Sequence, residues 1–223
     1  MKLSESTINV LKNFATINAG MQFKEGSVVR TISKGQNVLG KATITENFEK
    51  DLVIYDLNRF LSLCSSLTDP EIVINTDANN LTVKSGTSKT TYGLADESMI
   101  VAPPVKELKI ENSEVNFRLT KDDMNQVLKM SGILGLPNIA VVGDGESVSL
   151  SALDVKNSDS DNFSIKVGET SSNFKMIFNT ENLKMVPGNY DVAISSKGIS
   201  HFKHVTDQIE YWIATEAGSK YEG

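Results

Sequence analysis

Apolar residues recur at Ile8, Leu11 and Phe14 near the start of the chain. At 100° per residue, Glu5, Asn9, Lys12 and Asn13 fall on the opposite side, so residues 4–14 are predicted to form an amphipathic helix. From residue 21 the period changes. Short β-like runs at 21–23, 27–33, 38–45 and 52–55 are separated by glycine and Lys-Gly turns. The helical period returns in LNRFLSLCSSL, residues 57–67. Leu57, Phe60, Leu61, Leu63, Cys64 and Leu67 gather on one side, and Asn58, Arg59, Ser62, Ser65 and Ser66 on the other. Asp56 is placed to cap this helix and Asp69-Pro70 to stop it. Ile72, Ile74, Leu81, Val83 and Tyr92 mark the strands that follow.

The same order then recurs. Residues 115–119 read as a strand, and Thr120 opens a helix running to about Ile133, with Asp123 in the third position of a capping box. One side of that helix shows Lys121, Asn125, Lys129 and Gly132, and another Met124, Val127 and Leu128. Strands are expected at 139–142, 148–155, 163–167 and 174–178, with Asp144-Gly145 as a hairpin turn. In FNTENLKMVPGNYDVAI, residues 178–194, Thr180 is placed to cap a short helix that Pro187-Gly188 ends by about Val186. Tyr190, Val192 and Ile194 then alternate as a half-buried strand. Strands at 200–204 and 209–215 complete the chain.

IYDLNRFLSLCSSLTDPEIVI and FNTENLKMVPGNYDVAI occupy the same slot in two halves. Between the halves, DESMIVAPPVKELKI at 96–110 holds Pro103-Pro104, which forbids a continuous central strand and favours an extended connector. The pattern predicts two similar α+β domains, 1–105 and 106–223, tethered by that connector. A repeat of about 110 residues is a duplicated domain, not a solenoid unit.

Composition narrows the class. The 223 residues are 39 % hydrophobic and 22 % charged, as in soluble globular chains. The first residues lack the apolar run of a signal peptide, and no run approaches the roughly 20 apolar residues of a membrane span. The single cysteine, Cys64, leaves no internal disulfide and fits a reducing, intracellular setting. A net charge of −6 argues against a nucleic-acid partner only as an average over faces.

No catalytic constellation stands out. GQNVLGKA at 35–42 spells a phosphate-loop pattern, but Ala42 replaces the Ser or Thr that holds magnesium, and a strand follows instead of a helix. A hairpin turn is the better reading. Asn157, Asp159 and Asp161 alternate as in a calcium loop. Asn162 and Gly168 replace the required glycine and bidentate glutamate, so a solvated turn is favoured. His201 and His204 are three apart, a spacing for one helix face and not for one strand face, and no third ligand is near. Cys64 sits on an apolar helical side, as a core residue does. Neither a catalytic residue nor a metal or cofactor site is assigned.

The polar sides of the predicted helices remain. Their charged members are Glu5, Lys12, Arg59, Lys121, Asp122, Lys129, Glu181 and Lys184, mostly basic in an acidic chain. Such faces are either ordinary solvated surface or one shared surface turned to a polyanion. Lysine and arginine without interleaved aromatics suit phosphate contact without base readout.

With these elements placed, the chain resembles the DNA polymerase sliding clamps of T4-type phages. The matching stretches are MKLS and LKNFATIN at the start, VIYDLNRFL at the second helix, IVAP in the connector and LKMVPGNYDVAISSKG in the second half. The resemblance runs the whole chain in the same order. It implies PCNA-like clamp domains, with helices lining a homotrimeric ring around duplex DNA and antiparallel sheets outside. It further implies an ATP-driven clamp loader, attachment of the polymerase through a C-terminal peptide, contact with late-transcription factors, and work in the cytoplasm of an infected bacterial host. On that basis Lys12, Arg59, Lys121, Lys129 and Lys184 are expected to face DNA. Partner peptides in clamps dock beneath the connector, which points to Val38, Val101, Trp212 and Ala214. A ring- or tube-forming structural virion protein is the alternative, and it gives no reason for basic helix faces. A small-molecule enzyme working in the cleft between the domains would lack a catalytic constellation.

Overall fold

Ser4 starts the first helix by accepting the Thr7 amide on its hydroxyl at 3.3 Å, which satisfies a donor that the first turn cannot. The computed structural model describes residues 1–75 and 78–223. The chain divides into two units, Met1–Val105 and Lys106–Gly223.

The first unit contains α1 (Glu5–Ile17), β1 (Met21–Phe23), β2 (Gly26–Ile32), β3 (Val38–Phe48) and β4 (Leu52–Ile54). It continues with α2 (Leu57–Ser65), β5 (Glu71–Ile74), β6 (Asn80–Ser85) and β7 (Ser88–Gly93). Its strands pair antiparallel in the orders β4-β1-β2-β3 and β5-β6-β7. Helix α1 packs on α2 and across β2 and β3. Its buried stripe centres on the fully buried Leu11 and Phe14 and takes in Thr7, Val10 and Ala15. Ile8, expected within the stripe, is half-buried at its margin. A polar contact turned the stripe. The Thr7 hydroxyl and the Ser4 amide both donate to the carboxylate of Glu46 on β3.

That contact carries a pH signature. Burial pushes the Glu46 carboxyl up, but hydrogen bonds from Thr7 and Ser4 outweigh it and hold the group below the usual carboxylate range. A carboxyl held low in the fold stabilises above its unfolded pKa of about 4.3 and loses that contribution as pH falls through the folded value. Between about pH 7 and about pH 3, the thermal midpoint is expected to fall more steeply for the native chain than for Glu46→Gln. Parallel curves would show that Glu46 does not anchor α1.

The second unit contains β8 (Val115–Leu119), α3 (Lys121–Leu134), β9 (Asn138–Asp144), β10 (Ser147–Leu153), β11 (Phe163–Glu169) and β12 (Asn173–Asn179). After these come β13 (Tyr190–Ser195), β14 (Ile199–His204), β15 (Ile209–Ala214) and the short β16 (Lys220–Tyr221). The strand orders are β11-β10-β9-β12-β16 and β15-β14-β13-β8. Matching β9, β10, β11 and β12 to β1, β2, β3 and β4 gives one pairing order in both units, and α3 lies over β10 and β11 as α1 lies over β2 and β3. The duplication read from the sequence is therefore present in the pairing. It extends to the segment ahead of each first helix. Met1 exchanges main-chain hydrogen bonds with Ile72 on β5, as β8 pairs with β13.

Helix α3 follows its sequence signals closely. The Thr120 hydroxyl accepts the Asp123 amide at 3.1 Å and donates to the Asp123 carboxylate at 2.5 Å. Gly135 ends the helix at φ 66°, in the left-handed region that a side chain disfavours. Asp144 and Gly145 turn between β9 and β10.

One predicted helix is missing. In place of a helix from Thr180 to about Val186 there is a single 3-10 turn, Thr180–Asn182, whose cap is Asn179 and not Thr180. α2 has Leu57, Phe60, Leu61 and Cys64 to bury along its stripe, whereas this turn buries Leu183 alone. Pro187 comes only seven residues after Thr180, and it disfavours helical backbone at Val186 before it. So short a segment gains too few helical hydrogen bonds to offset nucleation. Two tyrosines then hold Val186 in a non-helical position: Tyr211 Oη accepts its amide at 3.2 Å, and Tyr190 Oη donates to its carbonyl at 2.5 Å.

Candidate nucleic-acid interface and partner pocket

Lys12 stands exposed on α1 and Arg59 exposed on α2, the two helices that pack together in the first unit. Lys121 and Lys129 stand exposed on α3 in the second unit, whose buried residues include Met124 and Val127. Among the described residues none of these four cations has a salt bridge. The helices' acids are Glu5, Asp122 and Asp123, all in first turns, where the positive end of the helix dipole holds them. α2 carries no acid. Lys184 differs from the other four. It lies outside any helix, and its ammonium donates to the Glu181 carboxylate at 2.6 Å.

The four residues expected to form a partner pocket divide two and two between the units. Val38, the first residue of β3, is buried, and Val101 is half-buried in the connector. Val101 helps to line a cavity of about 320 Å³ with Asn18, Gly20, Tyr55 and Met99, all of the first unit. Trp212 is 7 % exposed on β15, and Ala214 is half-buried on the same strand.

Contacts that the sequence does not foretell fix these parts. Asn18 Nδ2 donates to the Val101 carbonyl at 3.4 Å and to the Ile32 carbonyl at 2.9 Å. Arg30 Nη1 donates to the carbonyls of Pro104 at 3.4 Å and Val105 at 3.2 Å. Ile100 sits so close over Gly20 that a Cβ there would come within 2.6 Å of it. In the second unit the His201 ring lies on the Trp212 indole, with centroids 4.7 Å apart and planes 12° apart. Nothing local marks these partners, because each contact joins residues distant in sequence or paired across strands.

The other candidates resolve structurally. Residues 33–37 turn between β2 and β3, and β3 runs straight through Lys41. Asn157 organises a turn, its side chain accepting the Asp159 amide at 3.2 Å. His201 and His204 lie on opposite faces of β14, so one ion cannot take both. Burial pushes the Cys64 thiol up to about 11, which keeps it protonated and unreactive near neutrality.

Residues 2–102 match the family of DNA polymerase processivity factors, and residues 116–217 match the C-terminal family of the gp45 sliding clamp. The sliding clamp of Vibrio phage KVP40 is 37 % identical over 97 % of this chain and 100 % of its own. That of Enterobacteria phage T4 is 31 % identical over 100 % of both. The fold is similar to PCNA of A. fulgidus, solved with the C-terminal region of FEN-1 bound, at a TM-score of 0.69 and 15 % identity over 98 % of each chain. Full-length identity to named clamps, two family matches that together span both units, and a duplicated antiparallel fold agree: the chain belongs to the sliding-clamp family of T4-type phages, non-catalytic processivity factors of DNA polymerase.

Proposed function

We propose that the chain closes as a homotrimeric ring around duplex DNA, with Lys12, Arg59, Lys121 and Lys129 turned to the phosphates. The observation that carries this reading is the set of four exposed helical cations without salt bridges among the described residues, in a chain of net charge −6. Topological linkage supplies long residence, so a few diffuse phosphate contacts per chain suffice and sliding stays easy. Lys184, the fifth residue expected from the sequence, is already held by Glu181 and is left out of the proposed set. Head-to-tail contacts between unlike surfaces must close after three copies.

The reading extends to partners. An ATP-driven loader seats the ring, the polymerase holds on through its C-terminal peptide, and late-transcription factors use the same clamp in the cytoplasm of the infected bacterium. A PCNA relative in fold binds the C-terminal region of FEN-1, which supports a peptide-tail mode of attachment. Val38, Val101, Trp212 and Ala214 are the residues proposed for that peptide. The family match favours this reading over a structural virion protein.

The test is retention on DNA after loading. Closed circular DNA is expected to hold the chain and to release it on linearisation, and native mass should be that of three 24.3 kDa chains, about 73 kDa. Equal retention on open-ended linear DNA would remove the encircling ring.

A further inference from the structure

The sheet face that carries Trp212 is ordered in rows by its register. One row runs Arg118, Asp191, Lys203 and Glu210, alternating in sign across β8, β13, β14 and β15. The next row brings Ala193, His201 and Trp212 together. Within these rows His201 does two things at once. Its ring lies nearly parallel on the indole at 4.7 Å, and its Nε2 meets Glu210 Oε2 at 2.8 Å. His201 and Trp212 are register partners on one sheet face, so the imidazole stands beside the indole and covers the indole face turned toward β14. The side chains of His201 and Glu210 are 24 % and 27 % exposed, and Trp212 is buried. Trp212 Nε1 is buried with no hydrogen-bond partner. Buried polar groups are ordinarily satisfied, so an orphaned donor marks a contact that something else completes.

We infer that His201 is a gate over Trp212, latched by Glu210, standing where an aromatic side chain of a docking peptide stacks once the gate swings out. The flat ring-on-ring geometry selects a planar occupant, because an aliphatic side chain gains nothing from the second ring's orientation. The orphaned indole N–H takes a carbonyl oxygen of the same segment. This inference rests on the proposal that Trp212 belongs to the partner pocket. The gate then lowers apparent affinity by the fraction of time it is open, and it slows association by the same factor.

The experiment uses the full chain and a synthetic peptide of the cognate polymerase's C-terminal residues. His201→Ala is expected to bind about tenfold tighter, with the gain in the association rate constant. Glu210→Gln leaves the ring in place and weakens only the latch, so its gain should be smaller, about threefold. Both gains should vanish for a peptide whose aromatic residues are replaced by alanine. Unchanged or weaker binding by both variants, with Trp212→Ala still losing affinity, would overturn the gate and make His201 a pocket wall. Trp212→Ala binding as well as the native chain would instead remove the pocket reading beneath it.

Discussion

Changing Lys12, Arg59, Lys121 and Lys129 together to glutamate is expected to weaken binding to linear duplex DNA, where no topological link retains the chain, by about two orders of magnitude or more. Each replacement removes a cation and installs an anion, so both attraction and its screening change. Each phosphate contact contributes roughly 0.9 to the slope of log affinity against log salt, and the variant's binding to linear DNA should lose most of that dependence. The four residues are exposed and have no salt bridges among the described residues, so the variant should melt close to the native chain. Adding Lys184→Glu should change little further, because Glu181 already occupies that ammonium. A native salt slope in the fourfold variant would move the DNA contact off the helices altogether.

The sequence was most legible where one residue's chemistry decides the outcome. Asp56 and Thr120 cap their helices because short oxygen side chains reach first-turn amides. Ser4 and Gly135 act by equally local chemistry, but the apolar pattern alone does not announce them. The duplication was legible because both halves punctuate their elements in one order, and the strand pairing follows that order. Residues 180–186 depart from their helical signals for a related reason. A cap and a stop were both visible, but a helix also needs an apolar stripe to bury, and Leu183 alone does not make one. The turn of α1 toward Thr7 depends on Glu46, far along the chain, which helical periodicity cannot register. His201 shows the sharpest limit. Its spacing from His204 argued against a shared ion, yet its stacking on Trp212 follows only from the register of β14 on β15. Asn18 and Arg30 likewise anchor the connector through carbonyls, which carry no sequence signal of their own.

Trp212→Ala is expected to weaken binding of the polymerase's C-terminal peptide by about 2–4 kcal/mol, roughly thirtyfold to a thousandfold. Tryptophan in a desolvated site is the residue type whose truncation costs most, because a large rigid surface and a donor disappear together. The same side chain is 7 % exposed, so its removal also leaves a cavity that costs the fold on the order of 3–5 kcal/mol. Loss of binding in that variant alone therefore does not separate a lost contact from a disturbed sheet. Trp212→Phe separates them. Phenylalanine keeps most of the apolar volume and the ring beside His201, but it has no N–H to offer. If the orphaned Nε1 meets a peptide carbonyl, Trp212→Phe should cost about 1 kcal/mol of binding, near fivefold. Its thermal midpoint should meanwhile stay close to native, because no internal hydrogen bond is lost. Native peptide affinity in Trp212→Phe would leave the indole as a packing surface only, and the donor without a role in docking.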